Sequence, residues 1–151
     1  MPVRVSGLDE IRTLAGTDLG VTDWMEITQD RVNTFADATD DHQWIHVDPV
    51  RAAEGPFKTA IAHGYLTMSL VIPLFGRLLQ IEGIGMAINY GLNKARFPAP
   101  VPVGARIRLA GKVVEVEEVR GGLQLTVDFA VEVENAAKPA CVAQAVYRYL
   151  A

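Results

Sequence analysis

Cysteine occurs once in the 151 residues, at Cys141. One thiol cannot close an intrachain disulfide, so no disulfide framework is available and the chain suits a reducing compartment. Long hydrophobic runs are missing too. The most apolar stretch, from Tyr65 to Leu79, is too short to span a bilayer and is interrupted by Pro73, Gly76 and Arg77. The first seven residues lack the apolar core of a signal peptide. These absences lead to the expectation of a soluble, cytoplasmic protein with no membrane partner. Basic residues are not in surplus: 14 Lys and Arg stand against 18 Asp and Glu, which speaks against a nucleic-acid partner. The acids crowd into residues 1–60, while Lys94, Arg96, Arg106, Arg108 and Lys112 fall in the later part. Those five read either as a local patch for a phosphorylated small molecule or as the exposed face of strands.

What is present reads as one domain over residues 1–151, with no repeat, linker or low-complexity tract. Leu8 to Leu14 suits a short helix before Gly16. Val21 to Ile27 reads as a strand with Val21, Asp23, Met25 and Ile27 on one side. Thr28 offers an N-cap oxygen and Asp30 an acid in the first turn of a helix whose Val32, Phe35 and Ala36 form a buried face. Thr39 to Asp48 is polar and aperiodic. Asp48-Pro49 is a cap followed by proline at the first helical position, so a short helix is expected over Pro49 to Ala53. After Gly64 no charge appears until Arg77, and a helix without a charged face belongs in the middle of a domain. Pro73 should kink it, because proline lacks the amide hydrogen and crowds the Ser69 carbonyl.

From Gly83 the period changes to two. Leu123, Leu125, Val127, Phe129, Val131 and Val133 alternate with Gln124, Thr126, Asp128, Ala130, Glu132 and Glu134, the pattern of a strand with one buried face. Gly121-Gly122 supplies a turn and Ile107 to Val119 the partner strand of a hairpin. Gly83 to Phe97 and Ala140 to Leu150 complete the set. A buried helix followed by antiparallel strands predicts an α+β fold, one sheet wrapped around one central helix.

All three histidines, His42, His46 and His63, lie within 22 residues of one another, among Asp37, Asp40, Asp41 and Asp48. Asp41 and His46 can converge on one water if the loop between them folds back, the carboxylate accepting one proton and the imidazole holding or returning another; an Asp and a His on a loop can equally be solvated or capping. His42 and His46, four apart, would share a helix face as metal ligands, with His63 or Asp41 completing the set, although Trp44 and Ile45 between them do not suit such a site. Ala62-His63-Gly64 stands just before the buried helix, where free amides and a side-chain-free Gly64 could cradle a carbonyl becoming an enolate. Gly64 could also serve only to turn the chain, and His63 could be a structural histidine. Cys141 reads as core.

Ala38-Thr39-Asp40-Asp41-His42-Gln43-Trp44-Ile45-His46 resembles the signature of the MaoC-like, (R)-specific enoyl-CoA hydratases: a small residue, Gly, Asp, any, Asn, Pro, an aliphatic, His. Thr59 to Thr67 is similar to the family's approach to its central helix, and Ala95 to Gly104 to its post-helix strand and turn. The nearest likeness is to single-hotdog actinobacterial members whose loop reads Asp-His-Gln-Trp-Ile-His. The resemblance implies a hotdog fold, a homodimer, no cofactor and no metal. It further implies that Asp41 and His46 hold the water added to a trans-2-enoyl-CoA and that the Gly64 amide binds the thioester oxygen. His63 and Gln43 are candidates for substrate contact at the same site, and Lys94 and Arg96 for the CoA phosphates. Gln43 replaces the usual Asn and Trp44 the usual Pro. Asp40 replaces Gly beside Asp41, where a second carboxylate repels the first, though Asp tolerates positive φ better than most residues. Two rivals stand beside this reading: a thioesterase on the same fold, for which His46 would be surplus, and a non-catalytic acyl-thioester binder or assembly partner.

Overall fold

The computed structural model describes residues 1–151. Strand β1 (Val3–Ser6) leads into helix α1 (Gly7–Ile11), which continues as a 3₁₀ turn over Arg12–Leu14. Then come β2 (Asp18–Val21), β3 (Met25–Glu26), α2 (Gln29–Thr39), the one-turn α3 (Trp44–Val47), α4 (Pro49–Ala53) and α5 (Gly64–Leu78). Strands β4 (Leu79–Glu82), β5 (Met86–Arg96), β6 (Arg106–Val119), β7 (Gly122–Val133) and β8 (Cys141–Leu150) complete the chain. Six strands form one antiparallel sheet in the order β2-β6-β7-β8-β5, with β3 pairing the same strand as β2. The sheet packs over α5, the α+β arrangement that the periodicity predicts.

Apolar burial explains this arrangement. Leu66, Leu70, Val71, Leu74, Phe75 and Leu78 of α5 are all buried against the sheet, and α5 runs through Pro73 to Leu78 as one helix. On β7 the six alternating apolar residues from Leu123 to Val133 are all buried, and Gly121 opens the β6–β7 hairpin at φ +85°. Phe75 stacks on Tyr147 and meets Phe129 edge-on, which fixes helix to sheet. Cys141 is buried as expected, and burial pushes its thiol up to about 11.

One expectation needs correction, and two elements had no sequence expectation. Val21 to Ile27 is not one strand: a register shift between Asp18 and Gly20 leaves Val21 half-exposed and Leu19 buried. The Thr22 hydroxyl there accepts from the Leu109 amide in place of a ladder carbonyl. The aperiodic Thr39–Asp48 stretch contains α3, too short for a sequence period to register. A parallel pair, β1 with β4, was not foreseen, because four-residue strands carry too little pattern.

Local caps set the segments around the site. Thr28 accepts from the Arg31 amide at the start of α2, and Asp48 accepts from the Arg51 amide at the start of α4. At the end of α2, Asp40 adopts φ +57° and its amide donates to the Ala36 carbonyl, the left-handed position that usually carries glycine. The chain thus turns sharply from α2 toward Asp41.

Two substitutions test this packing. Leu74→Ala at the fully buried centre of α5 should cost about 2–5 kcal/mol of unfolding free energy in urea titrations; a loss under about 1 kcal/mol would contradict the placement. Asp40→Gly should leave the fold unchanged and raise stability by up to about 1 kcal/mol, because it relieves a left-handed non-glycine residue; a loss would contradict the strain argument.

Candidate active site

His46 lies on α3, whose single turn cannot by itself orient a side chain. Its orientation comes from Ile61. The Ile61 amide donates to the Ile45 carbonyl at 3.0 Å, and the Ile61 carbonyl accepts from Nδ1 of His46 at 2.6 Å. A carbonyl can only accept, so Nδ1 carries the proton and Nε2 keeps a lone pair. The segment that presents Ile61 is itself fixed, with the Ala62 amide donating to Val101 and the Val103 amide to Ala60. On the other side Gln29 of α2 donates from its side chain to the His46 carbonyl, which ties α3 to α2.

His63 caps the approach to α5 and is 3% exposed. Its ring stacks on His46 with centroids 3.9 Å apart and planes 23° from parallel, and Phe35 of α2 packs at 4.8 Å. Nε2 of His63 donates to the Asp41 carbonyl at 3.0 Å, and its Nδ1 has no partner within the protein. Asp41, half-exposed, brings a carboxylate oxygen 4.0 Å from Nε2 of His63. One donor atom from each of Asp41, His46 and His63 lies within 4.8 Å of the others.

Burial above all, and then the neighbouring His63 ring, hold the His46 imidazole below its usual 6.5, against the opposing pull of the Ile61 carbonyl and the Asp41 charge. His46 is therefore neutral at physiological pH, with Nε2 available as an acceptor. This cluster is poorly built for a metal ion. A histidine ligand holds an ion about 2 Å away in the plane of its ring, and two near-parallel stacked rings do not aim both lone pairs at one point.

Leu66 and Thr67 are the first residues of α5 whose amides bond back, both to the His63 carbonyl; the amides of Gly64 and Tyr65 donate to no backbone carbonyl. They form the positive end of a 15-residue helix. A cleft of about 320 Å³ opens beside them, lined by His46, Phe57, Ile61, Ala62, Gly64, Thr67, Val101, Ala140 and the run Phe97 to Pro100. A Cβ on Gly64 would sit 3.3 Å from the Phe97 ring, so glycine is what leaves the helix start open to the cleft.

Not every candidate residue meets here. Gln43 is exposed and precedes α3, accepting through its carbonyl from the His46 amide, but its side chain does not line the cleft. His42 does not join His46 on a helix; it pairs at 2.8 Å with Asp37 of α2, so that spacing makes no ligand pair. Lys94 and Arg96 are exposed on β5, opposite Gln144 and Val142 of β8. Lys94 faces a hollow on the outer side of the sheet with Lys112, Asp18 and Asp128, away from the His46 cleft, because alternate strand residues take opposite faces. The Ile61 carbonyl, Phe57 and Thr67 were not singled out from the sequence, and Phe35 was read only as part of the buried face of α2. A backbone carbonyl leaves no compositional trace, and single apolar residues resemble any core residue.

With this geometry in place, the comparisons with known proteins agree on one family. The MaoC-like domain family matches residues 10–135. The 3-hydroxyacyl-thioester dehydratase Z of Mycobacterium tuberculosis (strain ATCC 25618 / H37Rv) is 55% identical over 94% of this chain and 95% of its own. Nodulation protein N of Rhizobium meliloti (strain 1021) is 42% identical over 90% of this chain and 86% of its own. Among solved structures, the (R)-hydratase from A. caviae involved in PHA biosynthesis superposes with a TM-score of 0.72 at 26% identity, covering 88% of this chain and 94% of that one. A sheet wrapped around one central helix is the hotdog fold that the (R)-hydratase structure shares. The chain belongs to the MaoC-like domain family.

The state of His46 has a sign that can be measured. The folded chain disfavours the ring's charged form, so the unfolded chain takes up the proton first as pH falls. The stability linked to this group is intact above pH 6.5 and declines as pH drops below it. Histidine-ring NMR should show His46 titrating below 6.5; titration at or above that value would contradict the buried, neutral ring.

Proposed function

We propose that the protein hydrates trans-2-enoyl-CoA to (R)-3-hydroxyacyl-CoA, and catalyses the reverse dehydration, with Asp41 and His46 handling the water. The observation that carries this reading is the locked His46 tautomer in a cleft that also contains Gly64, with a carboxylate oxygen of Asp41 within 4.8 Å of a His46 ring nitrogen. Two bases side by side can each accept one hydrogen of a water, leaving its oxygen lone pair free to face C3 of the substrate. The thioester oxygen lies against the Gly64 amide at the start of α5. As the O–C3 bond forms, the C2–C3 π electrons move toward the carbonyl, and the helix end stabilises the resulting enolate oxygen. The water proton passes to the Asp41–His46 pair and a proton is returned to C2, so nothing but water is consumed. Three kinds of support stand behind the reading: the family membership, the dehydratase name carried by a 55%-identical relative and the (R)-hydratase name of a structure 26% identical.

The working unit is a homodimer. Strand β5 pairs only with β8, so its other edge is free, and it exposes Met86, Tyr90 and Leu92. A long unpaired apolar edge is a liability unless it is covered, and a second copy covers it by symmetry. No helix is long and apolar enough to cross a membrane.

Asp41→Asn tests the assignment. The wild-type protein should bleach the conjugated absorbance of an enoyl thioester, and the variant should lose about 10²–10⁴-fold in rate. Unchanged activity in the variant would sink the assignment. Release of free CoA thiol with the double bond intact would select the thioesterase reading, and saturable binding without turnover the binder.

A further inference from the structure

The hydration mechanism uses His46 but leaves the ring stacked on it without a task. His63 is almost fully buried, yet it neither lines the cleft nor satisfies both of its nitrogens. A buried imidazole with an orphaned nitrogen is costly, and a phenylalanine would fill the same space between Phe35 and His46 without that cost. What phenylalanine could not do is donate a hydrogen bond to the backbone of Asp41.

We propose that His63 is a positioning residue for the Asp41–His46 pair, holding Asp41 through its carbonyl and His46 through the stack, a role that rests on the hydration reading above. The two neighbours are reached from different ends of the ring. Nε2–H fixes the turn that follows the left-handed Asp40, and with it the origin of the Asp41 side chain. The ring face lies over His46 and hinders rotation of its imidazole, so that Nδ1 stays on the Ile61 carbonyl and Nε2 keeps one direction. Both tautomers are set by carbonyl acceptors, Ile61 for His46 and Asp41 for His63.

The stack also limits charge. A positive charge on His46, 3.9 Å from the His63 ring in a buried setting, is opposed more strongly than it would be in water, so the stack disfavours the charged form of His46. The titratable groups acting on His46 are His63, from the approach to α5, and Asp41, from the α2–α3 turn; α2 contributes the neutral Gln29 and Phe35. A proton taken from water by His46 is thereby kept labile and is handed on to C2.

The test compares wild type, His63→Leu and His63→Gln in hydration of a short-chain trans-2-enoyl-CoA, together with ¹⁵N NMR of the histidine rings. Gln keeps a donor near the place of Nε2, whereas Leu keeps only bulk. The leucine variant should lose about 10²-fold in kcat with KM little changed, as displaced catalytic groups do. Glutamine should restore kcat to within about tenfold of wild type. In His63→Gln the acid limb of kcat/KM and the NMR titration of His46 should both move to higher pH, because the repelling neighbour is gone. The proposal is overturned if Leu and Gln are equally impaired, or if His46 titrates in His63→Gln as it does in wild type. The glutamine variant decides alone should the leucine variant not fold. Absence of hydration by the wild-type protein would count against the functional reading, while the NMR titration would still judge the role of His63.

Discussion

An imidazole offers two nitrogens and rotates freely about two bonds, so a histidine on a one-turn helix has no fixed chemical character. The 2.6 Å bond from Nδ1 of His46 to the Ile61 carbonyl removes that freedom. It decides which nitrogen is protonated and which way the lone pair points. The rest of the site is arranged to keep the bond in place. Residues 60–62 are tied to 101–103 on one side and to α3 on the other, and α3 is tied to α2 through Gln29. The fold thus delivers a neutral base to one spot without a charged neighbour fully buried beside it.

The second constraint is the helix start. A helix with no charge between Gly64 and Leu78 except Arg77 can lie under the sheet only because its exposed and buried faces are both built largely from apolar or small residues. Its start at the half-buried Gly64 opens into the cleft, where a partial positive charge acts through a lower effective dielectric than in bulk water. Gly64 keeps the approach open against Phe97. In the proposed hydration the locked lone pair serves the water and the unshielded helix end serves the thioester oxygen.

Much of this was legible in the sequence. Six alternating residues on β7 predicted a buried strand face, the missing charges after Gly64 predicted the central helix, and the crowding of Asp and His between positions 37 and 63 marked the site. Asp40 at the left-handed turn bears out the tolerance of Asp for positive φ. What escaped was set by long-range backbone bonds or by elements too short to show a period: the Ile61 carbonyl, the one-turn α3, the paired β1 and β4, and the bulge that turns Val21 outward. Strand alternation also governs Lys94 and Arg96. Their basic character was visible in the sequence, but the face they take depended on a β5–β8 register with two irregularities.

The most direct test of the central claim is a crystal structure with a non-reactive enoyl-thioester analogue bound. The account predicts the thioester oxygen within hydrogen-bonding distance of the Gly64 amide, with C3 turned toward a water shared by the Asp41 carboxylate and Nε2 of His46. A thioester oxygen directed away from the start of α5, or an acyl group lodged in the outer-face hollow beside Lys94 and Lys112, would contradict it.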